Sequence, residues 1–158
     1  MITALLQTTD NKIAIGTSHG AAILDADGWQ SIKSEKGKIP NVITAGVAGL
    51  YGDIWFGTQH SGVLHIDTNM IDIYDTTVGL KSNNISALAI NSDILAVGTT
   101  GGGLTLHRKG KWKTLRTSDG LLNEFITALY IDKKGYLWVG YHLDGVTKLF
   151  YDTTTAAW

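Results

Sequence analysis

Four times in 158 residues this chain repeats one phrase. It reads ITALYIDKKGYLWVGYHLDGV over residues 126–146, ITALLQTTDNKIAIGTSHGA from Ile2, ITAGVAGLYGDIWFGTQHSGV from Ile43 and ISALAINSDILAVGTTGGGL from Ile85. The opening isoleucines, Ile2, Ile43, Ile85 and Ile126, are 41, 42 and 41 residues apart. The glycines that close the second apolar run, Gly16, Gly57, Gly98 and Gly140, are 41, 41 and 42 apart, and a second glycine follows each at Gly20, Gly62, Gly103 and Gly145. Self-similarity at such a period marks an architecture of stacked units, each burying its apolar faces against its neighbours.

Within a repeat the pattern is that of four short strands. In the first, Ile2–Leu6, Ile13–Gly16, Ala21–Leu24 and Trp29–Ile32 are strands. They are separated by turns rich in Asp, Asn, Ser and Gly, residues that accept positive φ or hydrogen-bond their own backbone. No 12-residue window free of glycine carries an apolar stripe of period 3.6, so almost no helix is expected. The second strands decide the architecture. Ile13-Ala14-Ile15, Ile54-Trp55-Phe56, Ile94-Leu95-Ala96-Val97 and Tyr136-Leu137-Trp138-Val139 are apolar at every position. Successive strand side chains point to opposite faces, so these sheets must be covered on both. Four-stranded antiparallel sheets at a period of about 41 residues, covered on both faces by one another, make an all-β β-propeller. A single propeller domain spanning 1–158 is expected, with blades at about 1–41, 42–83, 84–123 and 124–158. The connections Ile39-Pro40-Asn41, Leu80-Lys81-Ser82-Asn83-Asn84 and Leu121-Leu122-Asn123-Glu124 lead from each outer strand to the next inner one.

The tryptophans add a longer period. Trp55 and Trp138 stand in the second strands of repeats two and four, where repeats one and three have Ala14 and Ala96; repeats one and three place Trp29 and Trp112 at the start of the fourth strand. Small residues facing large ones keep close packing when volume moves. The chain therefore reads as a two-repeat unit written twice, with these aromatics as core.

Composition removes several classes of function. Charged residues are 17% of the chain against 44% hydrophobic, and the net charge is −1 with no basic cluster beyond Arg108–Lys113. That argues against nucleic acid or an anionic membrane as partner. There is no cysteine, hence no disulfide or thiolate chemistry, and there is no apolar run of 18 residues and no signal-peptide pattern. No membrane insertion is expected. The compartment stays open: periplasmic if the segment comes from a sensor kinase, cytoplasmic otherwise.

In a propeller, the loops between second and third strands and the connections between blades emerge on one face near the channel. This places His19, His60, His142 and Asp144 with Asn41, Asn83, Asn123 and Glu124, and His19, Asn41, His60, Asn83, Asn123, His142 and Asp144 are the candidate ligand-binding residues. Three histidines from equivalent loops could converge on a metal. However, repeat three has Thr100-Gly101-Gly102 there and no HxH or HExxH spacing supports a site; no metal and no cofactor are expected. Catalytic residues are not expected either. There is no GxSxG elbow, and Asp10, Asp53, Asp93 and Asp132 fall in hairpin turns, where they cap backbone groups. Gly101-Gly102-Gly103 lacks the lysine and helix start of a phosphate loop.

Gly120-Leu121, Asn123, the run from Ile126 to Gly140 and the following Gly145 resemble the two-component regulator propeller repeat. Repeat two carries the same signature from Asp53 to Thr58, and repeats one and three carry it with alanine for tryptophan. That repeat builds the sensor regions of hybrid histidine kinases, usually as seven-bladed propellers, and some members recognise oligosaccharide breakdown products. The resemblance implies a non-catalytic ligand-binding or protein-interaction module rather than an enzyme, its ligand a small molecule or oligosaccharide. The alternatives are an excised or engineered half-propeller that self-assembles with no activity of its own, and a lectin-like sugar-binding propeller. The first strand begins at Ile2, and Trp158 is placed in the fourth strand of repeat four. An open row of four blades would then expose apolar outer faces with residues such as Ile13, Ile15, Leu137 and Val139. The expected remedy is a homodimer closing an eight-bladed ring, with a four-bladed monomeric ring as the alternative.

Overall fold

The computed structural model describes residues 1–32, 42–67 and 70–150. The short apolar runs form antiparallel hairpins in strict chain order. Blade one is β1 (Ile2–Gln7), β2 (Ile13–Thr17), β3 (Gly20–Asp25) and β4 (Gly28–Ser31). Blade two is β5 (Ile43–Ala48), β6 (Ile54–Thr58), β7 (Val63–Asp67) and β8 (Met70–Tyr74). Blade three is β9 (Ile85–Ile90), β10 (Leu95–Thr99), β11 (Leu104–Arg108) and β12 (Lys111–Leu115), and blade four contributes β13 (Ile126–Ile131), β14 (Leu137–Tyr141) and β15 (Val146–Leu149). Each strand pairs with its sequence neighbour, giving three four-stranded sheets and one three-stranded sheet among the described residues. The fourth strand expected in repeat four, with Trp158, lies outside the described residues, as does Asn41. Among those residues the only helical turn is the 3-10 turn Thr117–Asp119, and no helix is long and apolar enough to cross a membrane.

The inner strands stand side by side, β1 against β5, β5 against β9 and β9 against β13, which sets the blades in a row around one axis. A specific contact fixes the spacing. A Cβ added to Gly16 would meet Cγ2 of Ile43 at 2.3 Å, one on Gly57 would meet that of Ile85 at 2.5 Å, and one on Gly98 that of Ile126 at 2.6 Å. The isoleucine that opens each repeat thus sits over the glycine that closes the second strand of the repeat before it. Only a residue with no side chain leaves room for that approach.

The seams between blades are of two kinds. Between blades one and two, the small Ala4, Ala14 and Ala21 lie under Ile54, Phe56 and Leu64; between three and four, Ala89 and Ala96 lie under Leu137, Val139 and Tyr141. The middle seam is different, with Trp55 and Val63 of blade two packed on Leu88, Leu95 and Val97 of blade three and with Tyr74 and Trp112 beside them. The exchange of alanine for tryptophan therefore alternates from seam to seam.

Blade four departs from expectation in one respect. Leu137 and Val139 are fully buried against blade three, whereas Trp138 is turned to the uncovered side and is 37% exposed. The two residues lie at odd register with Leu149 and Thr147, and Trp138 lies at even register with Tyr130 and Lys148. In a strand apolar at every position, the neighbour present on one side only decides which set is core. On blade one, Ile13 and Ile15 do lie half-buried on the uncovered side, with Leu5.

Candidate functional site

In blades one to three the loops between second and third strands are closed by threonine and glycine. The Thr58 hydroxyl donates to the Gly62 carbonyl at 2.7 Å and the Thr99 hydroxyl to that of Gly103 at 2.9 Å. Gly62 and Gly103 have φ of +78° and +80°, a left-handed turn that suits glycine. These loops are tied to the connections between blades. The Gly62 N–H donates to the carbonyl of Asn83 (3.0 Å), the Gly101 and Gly103 N–H groups to that of Glu124 (3.0 and 3.2 Å), and the His142 N–H to that of Phe125 (3.1 Å). Loops and connections therefore form one hydrogen-bonded rim at the same end of the blades.

On this rim His60, His142 and Asp144 are exposed. His19 is exposed on the loop of blade one, its Nδ1 2.9 Å from the Ser18 hydroxyl and its N–H donating to Thr17 Oγ1. The two described asparagines brace the rim. Asn83 Oδ1 accepts from the Thr76 N–H at 2.9 Å. Asn123 Oδ1 accepts from the Phe125 N–H at 2.8 Å, while its Nδ2 donates to Asp144 Oδ2 at 2.5 Å. Of the candidates, the structure brings Asn123 and Asp144 together. Among the described residues, no three His, Cys, Asp or Glu side chains gather at metal-binding spacing. Glu124 is held in a two-pronged pair by Arg116, with Nε at 2.9 Å and Nη2 at 2.5 Å, and that contact lowers its pKa below the usual carboxylate range.

The turn aspartates divide. Asp132 accepts the Lys134 and Tyr136 N–H groups at 2.8 and 3.0 Å, and Asp53 the Tyr51 N–H at 3.3 Å, as turn caps do. Asp10 instead pairs with Lys12 (2.8 Å) and the Thr8 hydroxyl, and Asp93 with Arg108 (2.7 Å), its own turn being capped by Asn91. The shallow hollow lined by Asp10, Lys12, Ile13, Leu24 and Asp25 lies at this opposite end, away from the rim.

Sequence reasoning missed two histidines. His65 on β7 and His107 on β11 lie on opposite sides of the middle seam, within a stack that runs from Trp55 through Tyr74 to Trp112. Burial, and then the charge of His65, push the pKa of His107 below the usual 6.5. Burial, and then Asp72, raise that of Tyr74. The available signal was strand parity: each histidine lies at the same register as a tryptophan, His65 beside Trp55 and His107 beside Trp112.

Repeated antiparallel sheets whose inner strands line one axis define a β-propeller. Residues 120–142, the core of repeat four, match the family model described as Two component regulator propeller, so the resemblance read from Gly120 onward holds. The fold is shared with the extracellular domain of BT4673 from B. thetaiotaomicron, described as a one-component system. The TM-score is 0.74 at 17% identity, over 94% of this chain and 23% of that one. It is shared too with the computationally designed Ika4 protein (TM-score 0.68, 22% identity, 95% of this chain and 91% of that one). Virginiamycin B lyase from Staphylococcus aureus also has it (TM-score 0.68, 12% identity, 99% and 57%). At these identities the likeness is one of fold, and this chain spans about a quarter of BT4673's domain. Among curated proteins no significant sequence match is found.

Proposed function

We propose that this chain is a non-catalytic binding propeller of the sensor type, which takes a hydroxyl-rich small ligand on its rim. The observation that carries the reading is the rim itself. Backbone hydrogen bonds between loops and connections hold it in place, and it presents exposed His60 and His142 from equivalent loops, with Asp144 fixed by Asn123. Imidazole and carboxylate groups on a pre-ordered frame donate to and accept from sugar hydroxyls at little cost in ordering. Function follows the site rather than the fold, and the match of repeat four to two-component regulator propellers supports a sensory setting.

Titration calorimetry with a panel of neutral and uronic-acid oligosaccharides tests this. One class should bind, and His60→Ala and His142→Ala should each weaken it by about tenfold, equivalent to about 1.4 kcal/mol, without loss of fold. Binding untouched by both variants, or no heat from any saccharide with a folded chain, would overturn it. A second reading, a self-assembling half-ring with no ligand of its own, is favoured by the coverage of 91% of the designed Ika4 chain. Under that reading the whole panel would be silent.

A further inference from the structure

Among the described residues, three of the isoleucines that open the repeats sit over the closing glycine of the repeat before, and one of each is left over. Ile43, Ile85 and Ile126 are buried in their contacts with Gly16, Gly57 and Gly98. Ile2, which opens blade one, is 61% exposed. The three atoms that a Cβ on Gly140, which closes the second strand of blade four, would meet first all belong to Ala128 of its own blade, the nearest at 3.3 Å. The fourth pair is split between the two uncovered faces.

The rest of those faces matches too. Register places Trp138, Val146 and Ala128 of blade four where blade two has Trp55, Val63 and Ala45. Leu5, Ile13, Ile15 and Trp29 of blade one stand where blade three has Leu88, Leu95, Val97 and Trp112. The first set and the second set, in their blade two and blade three versions, are the two halves of the middle seam. Seams alternate along the chain between the alanine kind and the tryptophan kind, and the seam due after blade four is of the tryptophan kind. The polar groups agree as well. Trp138 Nε1 already donates to Asp132 at 3.0 Å, as Trp55 Nε1 donates to Asp53 at 2.7 Å, so covering the indole would strand no donor. Where the middle seam sets His65 near His107, the open faces offer Lys148 and the neutral Leu24 in their places, so no like charges meet. The ammonium of Lys148 lies 3.6 Å over the Tyr136 ring.

We propose that the two uncovered faces are the halves of one seam and that a second copy of this chain completes it, blade four of each copy docking on blade one of the other. Among the described residues β1 and β13 are not packed together as β1 is with β5, so no such seam joins blade four to blade one within one chain. Two copies related by a two-fold axis satisfy both pairs of faces at once, and assembly stops there, as an eight-bladed ring. The apolar surface that such a closure removes is of the kind that single soluble chains rarely leave open.

Light scattering and sedimentation across micromolar dilution test the proposal on the 158-residue chain. The expected mass is twice 17.0 kDa. Gly140→Val fills the hollow meant for Ile2 of the second copy, and Leu5→Glu puts a charge where Leu88 is buried in the middle seam. Each should convert the chain to a 17.0 kDa species with an unchanged β-type circular dichroism spectrum. Met70→Glu, on the exposed outer strand of blade two, should leave the mass as it was. A stable 17.0 kDa chain at all concentrations would overturn the proposal and leave the faces to blades of another polypeptide. Open-ended growth, or a dimer indifferent to both variants, would overturn it as well.

Discussion

The imidazole of His65 lies flat on the indole of Trp55, ring centroids 3.8 Å apart and planes inclined by 18°. Asp53, from the turn that leads into the strand of Trp55, fixes both rings, accepting the indole N–H at 2.7 Å and lying 3.3 Å from His65 Nε2. Across the seam His107 makes a similar pair with Trp112 at 4.4 Å. Two tryptophan–histidine pairs, with Tyr74 between them, join blade two to blade three.

That joint makes stability depend on pH. His107 takes a proton less readily folded than unfolded, because burial and the neighbouring His65 oppose its charge. The unfolded chain then binds more protons, so stability should fall as the pH drops through the unfolded value near 6.5 and keep falling until the folded pKa is passed. His107→Leu, which installs the residue that blade one has at this register, should flatten the urea midpoint between pH 7.5 and pH 5.5. The carboxylates held low by partners, Asp10, Asp75, Glu124 and Asp132, act in a separate window below their ordinary values of 3.8 to 4.5. An unaltered slope in the variant would assign the dependence elsewhere.

The two second-strand tryptophans should respond differently to truncation. Trp55 is 6% exposed, and Trp55→Ala should cost about 3–5 kcal/mol, the range for deleting a large buried aromatic. Trp138→Ala removes a half-covered ring from a single chain, so its cost should grow with protein concentration as the second copy covers that face. Urea unfolding at two concentrations distinguishes them; equal, concentration-independent losses would contradict the assignment.

The glycines form a graded series. Gly57→Ala drives a methyl group to within 2.5 Å of Ile85 Cγ2 and should cost about 1–3 kcal/mol as overpacking. Ile85→Ala in the same chain should recover part of that loss, since the two residues share one contact. A purely additive double mutant, measured by chemical denaturation, would mean that the clash is not what the glycine avoids.

Added zinc or nickel should leave the melting temperature unchanged. His19, His60 and His142 sit on three separate loops, and no metal-binding trio assembles among the described residues. A ligand held by the native state alone would raise the transition through mass action, so a shift at millimolar metal would show that those loops do converge.

Much of this architecture is legible without coordinates because it is written in chain order. The period of Ile2, Ile43, Ile85 and Ile126, the strand-length apolar runs and the turn residues between them are local or periodic properties. Together they specify four-stranded blades, and even the two-repeat alternation of alanine and tryptophan. The loop face was readable for the same reason, since antiparallel strands in order put equivalent loops at one end.

Pairing across seams was not. Ile43 and Gly16 are 27 residues apart and belong to different sheets, so neither carries a local sign of the other; the contact exists only once blades are stacked. Side assignment failed likewise at Leu137, Trp138 and Val139. Alternation of polar and apolar residues is what tells a strand's inner face from its outer one, and a strand apolar on both faces has none. Which set is buried is then settled by blade three, the one neighbour that blade four has among the described residues. The same cause hid His65 and His107: each stands in a third strand with no local sign of a partner, and only the approach of two blades brings them, half-buried, into one aromatic stack.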